Sequence, residues 1–255
     1  MKSYLYCTVF LLCSFIGLAQ SRITDRNNIG WYATNATFVV SDHFGIHAEY
    51  QWRRDDYATR WQQGLLRVGV NYKYNNETLF RVGYAWVETY PYGDIPLNGM
   101  GKDFTEHRTF EMVQLSNSIS RVSISHRLML EQRWVGRYSS ADLNDEDIYI
   151  YTNRLRYMLR LQLPLYQKGP YVAVYDEVFC GFGGNIGENI FDQNRFGALI
   201  GYPFNATFRA EAGYLNQTVM LGREVDGKNV FQKNNGFIIS GIFNFDWRKT
   251  KTASK

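Results

Sequence analysis

The amino-acid sequence predicts an all-β chain that closes into a single antiparallel, up-and-down transmembrane barrel. Three observations carry this expectation: apolar residues on alternate positions, segments of about ten residues or more, and connections that alternate between tight and long. Period-two alternation marks a strand with two unlike faces, whereas a helix would repeat its apolar residues at i, i+3 and i+4. About ten residues is what a tilted strand needs to cross a bilayer, while sandwich strands run to about five or six. Tight turns at one end and long polar loops at the other describe outer-membrane barrels. The competing architecture is a large soluble up-and-down barrel.

Residues 1–19 carry Lys2, then an apolar stretch, then Gly17-Leu18-Ala19, a small-x-small pattern. This reads as a cleaved secretory signal peptide, too short and too early for a spanning helix of about 20 apolar residues. A lipid anchor at Cys13 is the rival reading, and the large Leu12 before it speaks against it. The barrel is then expected over residues 20–247, with residues 248–255 as a basic C-terminal tail.

The first alternating segment covers residues 29–40. Phe44, Ile46, Ala48, Tyr50 and Trp52 follow, then Leu66, Val68, Val70, Tyr72 and Tyr74, then Phe80, Val82, Tyr84 and Trp86, each set interleaved with polar or small residues. Residues 123–134 set Leu128, Leu130 and Trp134 against Arg127, Glu131 and Arg133. Leu155, Tyr157, Leu159 and Leu161 alternate with Arg154, Arg156, Met158 and Arg160, and the series closes on Phe237, Ile239, Gly241, Phe243, Phe245 and Trp247. The tight connections are 41–42, 74–77, 117–118, 167–169 and 203–205. Between them lie polar stretches at 54–60, 89–103, 136–147, 181–192 and 223–228. Trp52, Tyr72, Tyr74, Trp86, Trp134, Tyr202 and Trp247 stand at segment ends, as interfacial aromatic girdles do. Eleven segments alternate. Because bacterial single-chain barrels have an even strand number, about twelve strands are expected, the extra one drawn from residues 20–28 or 89–103, with ten as the fallback.

Composition narrows the function. Cys7 and Cys13 fall in the leader, so Cys180 stands alone, without a disulfide partner or a thiolate metal cluster. A net charge of +4 over 255 residues gives no case for nucleic-acid binding. No metal-ligand spacing, nucleotide loop or redox motif is present, so no cofactor is expected. The partners this class implies are outer-membrane lipid, lipopolysaccharide and the barrel-assembly machinery, and the location is the bacterial outer membrane. Oligomeric state is not legible.

The alternation assigns faces. With the apolar face on lipid, the polar face lines the lumen. That places Arg67, Arg81, Glu106, Arg108, Arg127, Glu131, Arg133, Arg154, Arg156, Arg160, Glu177, Arg209 and Glu211 inside. Charges in a narrow, partly dewatered interior must be paired or solvated, and the planar arginine fork suits carboxylates. A lumenal Arg/Glu lattice across neighbouring strands is predicted, with arginine in excess.

Five fragments, in order, resemble a known family: Glu106-His-Arg108, His126 to Arg133 (H-R-L-M-L-E-Q-R), Thr152 to Arg160 (T-N-R-L-R-Y-M-L-R), Tyr175-Asp-Glu-Val-Phe179, and Gln193 to Tyr202 (Q-N-R-F-G-A-L-I-G-Y). The chain resembles the domain of unknown function 2490, exported proteins of Gram-negative bacteria taken to be outer-membrane barrels. The resemblance implies fold and location and names no reaction. The chain departs from it at its end, where the basic tail follows Trp247.

Two function classes follow, with a third open. The first is a barrel with an Arg/Glu-lined lumen, either a narrow anion-leaning pore or a plugged structural barrel. The second is an enzyme on lipid or envelope glycan, for which Ser125, His126 and His107 are the candidate groups. Ser125 and His126 are strand neighbours whose side chains face opposite sides and cannot pair. His43 lies at a tight turn, and His47, of lumen parity, has no evident partner. The third is a loop-built binding surface using Tyr90, Tyr92, Phe104 and Tyr138, with Asp145, Glu146 and Asp147 as a candidate cation-bridging loop.

Overall fold

Alternating apolar and polar residues give each segment two unlike faces, and closing the sheet separates them into an inside and an outside. The computed structural model describes residues 22–248 except 167, 168 and 188. The expected signal peptide therefore lies outside the described residues, as does most of the basic tail. Eleven strands run in order: β1 (Ile23–Val39), β2 (Phe44–Asp55), β3 (Arg60–Lys73), β4 (Thr78–Thr89), β5 (Phe104–Ile119), β6 (Val122–Arg137), β7 (Ile148–Pro164), β8 (Tyr171–Phe182), β9 (Phe191–Pro203), β10 (Phe208–Val225) and β11 (Lys228–Asp246). Each pairs antiparallel with the next, and the ring closes where β1 meets β11.

The closing pair is parallel, with Ile29 opposite Gly236 and Ala33 opposite Ser240. Among the described residues the strand number is therefore eleven, neither the twelve nor the ten inferred from the even-number rule. Residues 23–28 do not form a strand of their own but extend β1, and residues 90–103 form no strand. An even count is required only when every pair is antiparallel. A parallel seam satisfies the same backbone hydrogen bonds with an odd number.

The two rims differ, though less evenly than the sequence implies. One carries short connections at 40–43, 74–77, 120–121, 165–170 and 204–207, and the other carries loops 90–103, 138–147 and 183–190. The stretches 54–60 and 223–228 turn out to be partly strand, leaving short turns at 56–59 and 226–227. The second is a two-residue Asp226-Gly227 hairpin with both residues at positive φ (52° and 67°), the geometry that matches strand twist. A register shift at Arg53/Arg54, whose partners Gln63 and Trp61 leave Gln62 as the extra residue, marks a bulge in β3 beside the first of these turns.

Large apolar side chains cover the outer face from β2 to β11, among them Ile46, Val70, Val82, Leu128, Leu155, Val174, Ile200 and Ile239, all exposed. The inner face is polar and largely buried. Apolar packing within it is confined to small clusters, such as Ile29, Trp31 and Leu215, and Phe110, Met112 and Met129. The fold is a polar core wrapped in an apolar skin.

Candidate functional site

Inward positions on β5 to β9 bring opposite charges to neighbouring strands. Glu131 and Arg154 are register partners, and Arg154 donates to the Glu131 carboxylate at 2.6 and 2.8 Å. Arg156 donates to the other Glu131 oxygen at 2.7 Å and to Glu177 at 2.8 Å, and Arg127 reaches Glu177 at 2.8 Å. In the other direction Arg154 donates to Asp192 at 2.8 Å, and Arg133 stands 3.8 Å from Asp192 and donates to Glu106 at 3.0 Å. Arg108 completes the series on Glu106 at 2.8 Å. Arg108 and Arg133 are register partners of like charge, and Glu106 between them removes the repulsion.

The result is one alternating chain: Arg108, Glu106, Arg133, Asp192, Arg154, Glu131, Arg156, Glu177, Arg127. It begins and ends on a cation. Isolated charges this deep would destabilise the fold, so the alternation is what makes the interior tenable.

Two smaller groups lie apart from it. Glu49 accepts from its register partner Arg67 at 2.5 Å, and His47 Nε2 stands 3.6 Å from Glu49, beyond hydrogen-bond distance. Glu211 accepts from Arg160 at 2.6 Å and from the Tyr171 hydroxyl at 2.7 Å. Tyr171 lies flat across Gly201, where a Cβ would sit 2.1 Å from its ring, and Tyr175 covers Gly197 in the same way. The remaining expected lumenal residues differ. Arg81 donates to Asn71 at 2.6 Å rather than to a carboxylate, and Arg209 is exposed at the short-turn end with no ion pair among the described residues.

Sequence reading left out several lumenal groups. Arg53 and Arg195 have no carboxylate within ion-pair distance among the described residues, and both stack on Trp31, at 3.9 and 4.8 Å from the ring centroid. Arg195 also lies 4.6 Å from Phe179, which Arg154 and Arg156 approach at 5.1 and 4.5 Å. Ring faces here supply negative potential that carboxylates do not. Arg53, Glu49 and Arg195 share the inward parity of their strands, so alternation alone could have found them; Trp31 carried no such signal, being aromatic on the inner face.

Two cavities divide the lumen. One, of about 180 Å³, lies toward the long loops, and the other, of about 460 Å³, runs toward the short-turn rim. Arg53, Arg108 and Arg195 alone line both. They form the partition between the chambers.

Loop 90–103 turns into the long-loop mouth and is held by amides. Asn234 donates to the Tyr92 hydroxyl at 3.2 Å and to Gln217 at 3.0 Å, and Gln232 donates to the Ile95 carbonyl at 2.9 Å. Arg223 donates to the Pro96 carbonyl at 2.8 Å. Burial pushes the Tyr92 phenol up to about 12, so it stays protonated. Gly93, at φ +72°, turns the loop where a Cβ would lie 2.4 Å from Asp25.

The remaining candidates have structural surroundings. His126 shares a hydrogen bond of 2.8 Å with the Tyr157 hydroxyl and His107 one of 2.5 Å with Tyr84, all on the outer face. Glu146 accepts from the Thr105 amide and Asp147 from the Ser139 amide, so these acids brace loops. Tyr92, Phe104 and Tyr138 are buried and offer no exposed ring for a sugar. Among the described residues no group of three or more His, Cys, Asp or Glu is placed to hold a metal.

The family model described as protein of unknown function, DUF2490, matches residues 28–225. The chain belongs to this family. Among curated proteins, the DUF2490 chain is similar to an uncharacterised protein of Methylorubrum extorquens, 29% identical over 194 residues, which are 74% of this chain and 77% of that one. The matched span takes in the whole alternating charge chain of this DUF2490 protein and ends at the last residue of β10.

Proposed function

We propose that the protein is an outer-membrane barrel that passes small anions by a narrow route through the Arg53, Arg108 and Arg195 partition. Support for membrane insertion is the apolar outer skin, since soluble monomers rarely expose contiguous apolar patches above a few hundred Å². Strands of 12 to 19 residues are long enough to cross. The leader at residues 1–19 fits export, and the rims fit short turns on the periplasmic side and long loops outside. Lipid, lipopolysaccharide and the barrel-assembly machinery are the partners that this location brings.

One observation carries the transport reading: the groups shared by both chambers are all guanidinium. A cation crossing the partition meets three positive groups, and an anion meets donors, the logic of charged rings in channels. The in-turned loop 90–103 and the nine-residue charge chain favour a second reading, a closed barrel with no route through. Planar-bilayer recording of purified protein separates the two. Small steps whose reversal potential in a KCl gradient follows chloride are expected; silence in every salt leaves the closed barrel.

A further inference from the structure

Each chamber has its own charge balance. Nine arginines and three glutamates line the short-turn chamber. Arg108 and Arg156 are matched from behind by Glu106 and Glu131. Arg53, Arg81, Arg195 and Arg209 have no carboxylate within ion-pair distance among the described residues, and they stand on four different strands around the chamber. Two further groups are buried and incompletely satisfied. His47, 5% exposed, has neither ring nitrogen hydrogen-bonded, and Arg67, also 5% exposed, has an unpaired Nε. Buried polar atoms normally have partners, and groups left without one along a cavity wall mark where a bound molecule would sit.

We infer that the short-turn chamber is a binding site for a small multivalent phosphate-bearing anion. The inference rests on the anion route proposed above and names what that route takes. A monovalent ion engages one guanidinium at a time. A phosphoryl group presents several acceptor oxygens, and planar forks converging from separate strands bind them together. The volume of about 460 Å³ falls within the range of roughly 300–1,000 Å³ of small-molecule sites, so the chamber accommodates more than a bare ion. Toward the rim its wall carries Asn35, Gln114, Ser116, Ser123, Gln162 and Asn244, uncharged groups suited to hydroxyls on an organic phosphate.

Isothermal titration of the full chain in detergent tests the site with two probes, inorganic pyrophosphate and glucose 6-phosphate. Saturable binding of one or both is expected at low salt, weakening as salt is raised. Which probe binds tells a free phosphate from a phosphorylated solute. Arg81→Gln and Arg209→Gln each weaken it about tenfold, the loss of one charge-assisted contact. Neither arginine holds a carboxylate, so their removal strands no buried anion. Arg137→Gln, on the other chamber, leaves binding unchanged. No saturable heat with either probe, or heat indifferent to Arg81→Gln and Arg209→Gln, overturns the site. Chloride conductance without phosphate binding sinks this inference alone, and phosphate binding without conductance sinks the pore while the site stands.

Discussion

The wall built by β5 to β9 and the wall built by β10, β11 and β1 meet the same demand with different chemistry. Both face inward, and both bury polar groups that need partners. On the first, Glu131 (1% exposed) neutralises two arginines, and the pattern works only as an alternating whole. On the second, Asn234 (0% exposed) accepts from Asn27 and donates to Gln217, and Gln232 (0% exposed) donates to Asp25 and to the Ile95 carbonyl. Asn27, Asn234 and Gln217 thus form a ladder of neutral groups that also grips loop 90–103. Ions bind strongly and fail together. Amides bind modestly and fail singly.

The largest effect that would sharpen this contrast is expected at Glu131→Gln. It leaves Arg154 and Arg156 short of a buried counter-charge, and breaking a buried pair costs about 3–5 kcal/mol. The urea midpoint of the detergent-solubilised protein reads it. Asn234→Leu should cost less, about 1–3 kcal/mol, because it orphans neutral groups on Gln217, Asn27 and Tyr92. Its signature is local: faster amide exchange in residues 90–98 with β5 to β9 unaffected. Equal costs for the two variants would abolish the distinction between the walls. His126→Phe, on the outer face, gives up one hydrogen bond to Tyr157 and should move the midpoint by no more than about 0.5 kcal/mol.

Much of the barrel was legible because period two is a geometric signature. Ile46, Val68, Val82 and Leu155 face outward, while Arg154 meets Glu131 and Arg156 meets Glu177 inside at salt-bridge distance. Eleven segments were legible as well, and the expectation of twelve came from the even-number rule rather than from the residues. What alternation does not encode is pairing across long separations. Nothing near Tyr92 announces Asn234, 142 residues away, and nothing near Trp31 announces two guanidiniums on its faces. Asp192 escaped because it was read as the end of the 181–192 loop rather than as the second residue of β9. Arg209 was placed by parity alone, and parity says nothing of whether a carboxylate is within reach.

The parallel seam has a consequence for assembly. Ten of the eleven interfaces join consecutive strands and can zip as hairpins, but Ile23 finds its mate at Val230. Closure entropy grows with the length of the intervening polypeptide, so the ring shuts at this slit last and parts there first. An odd count also makes the wall vectorial: the backbone enters at one rim and leaves at the other. Labels attached beside β1 and beyond β11 would therefore report from opposite rims of the barrel.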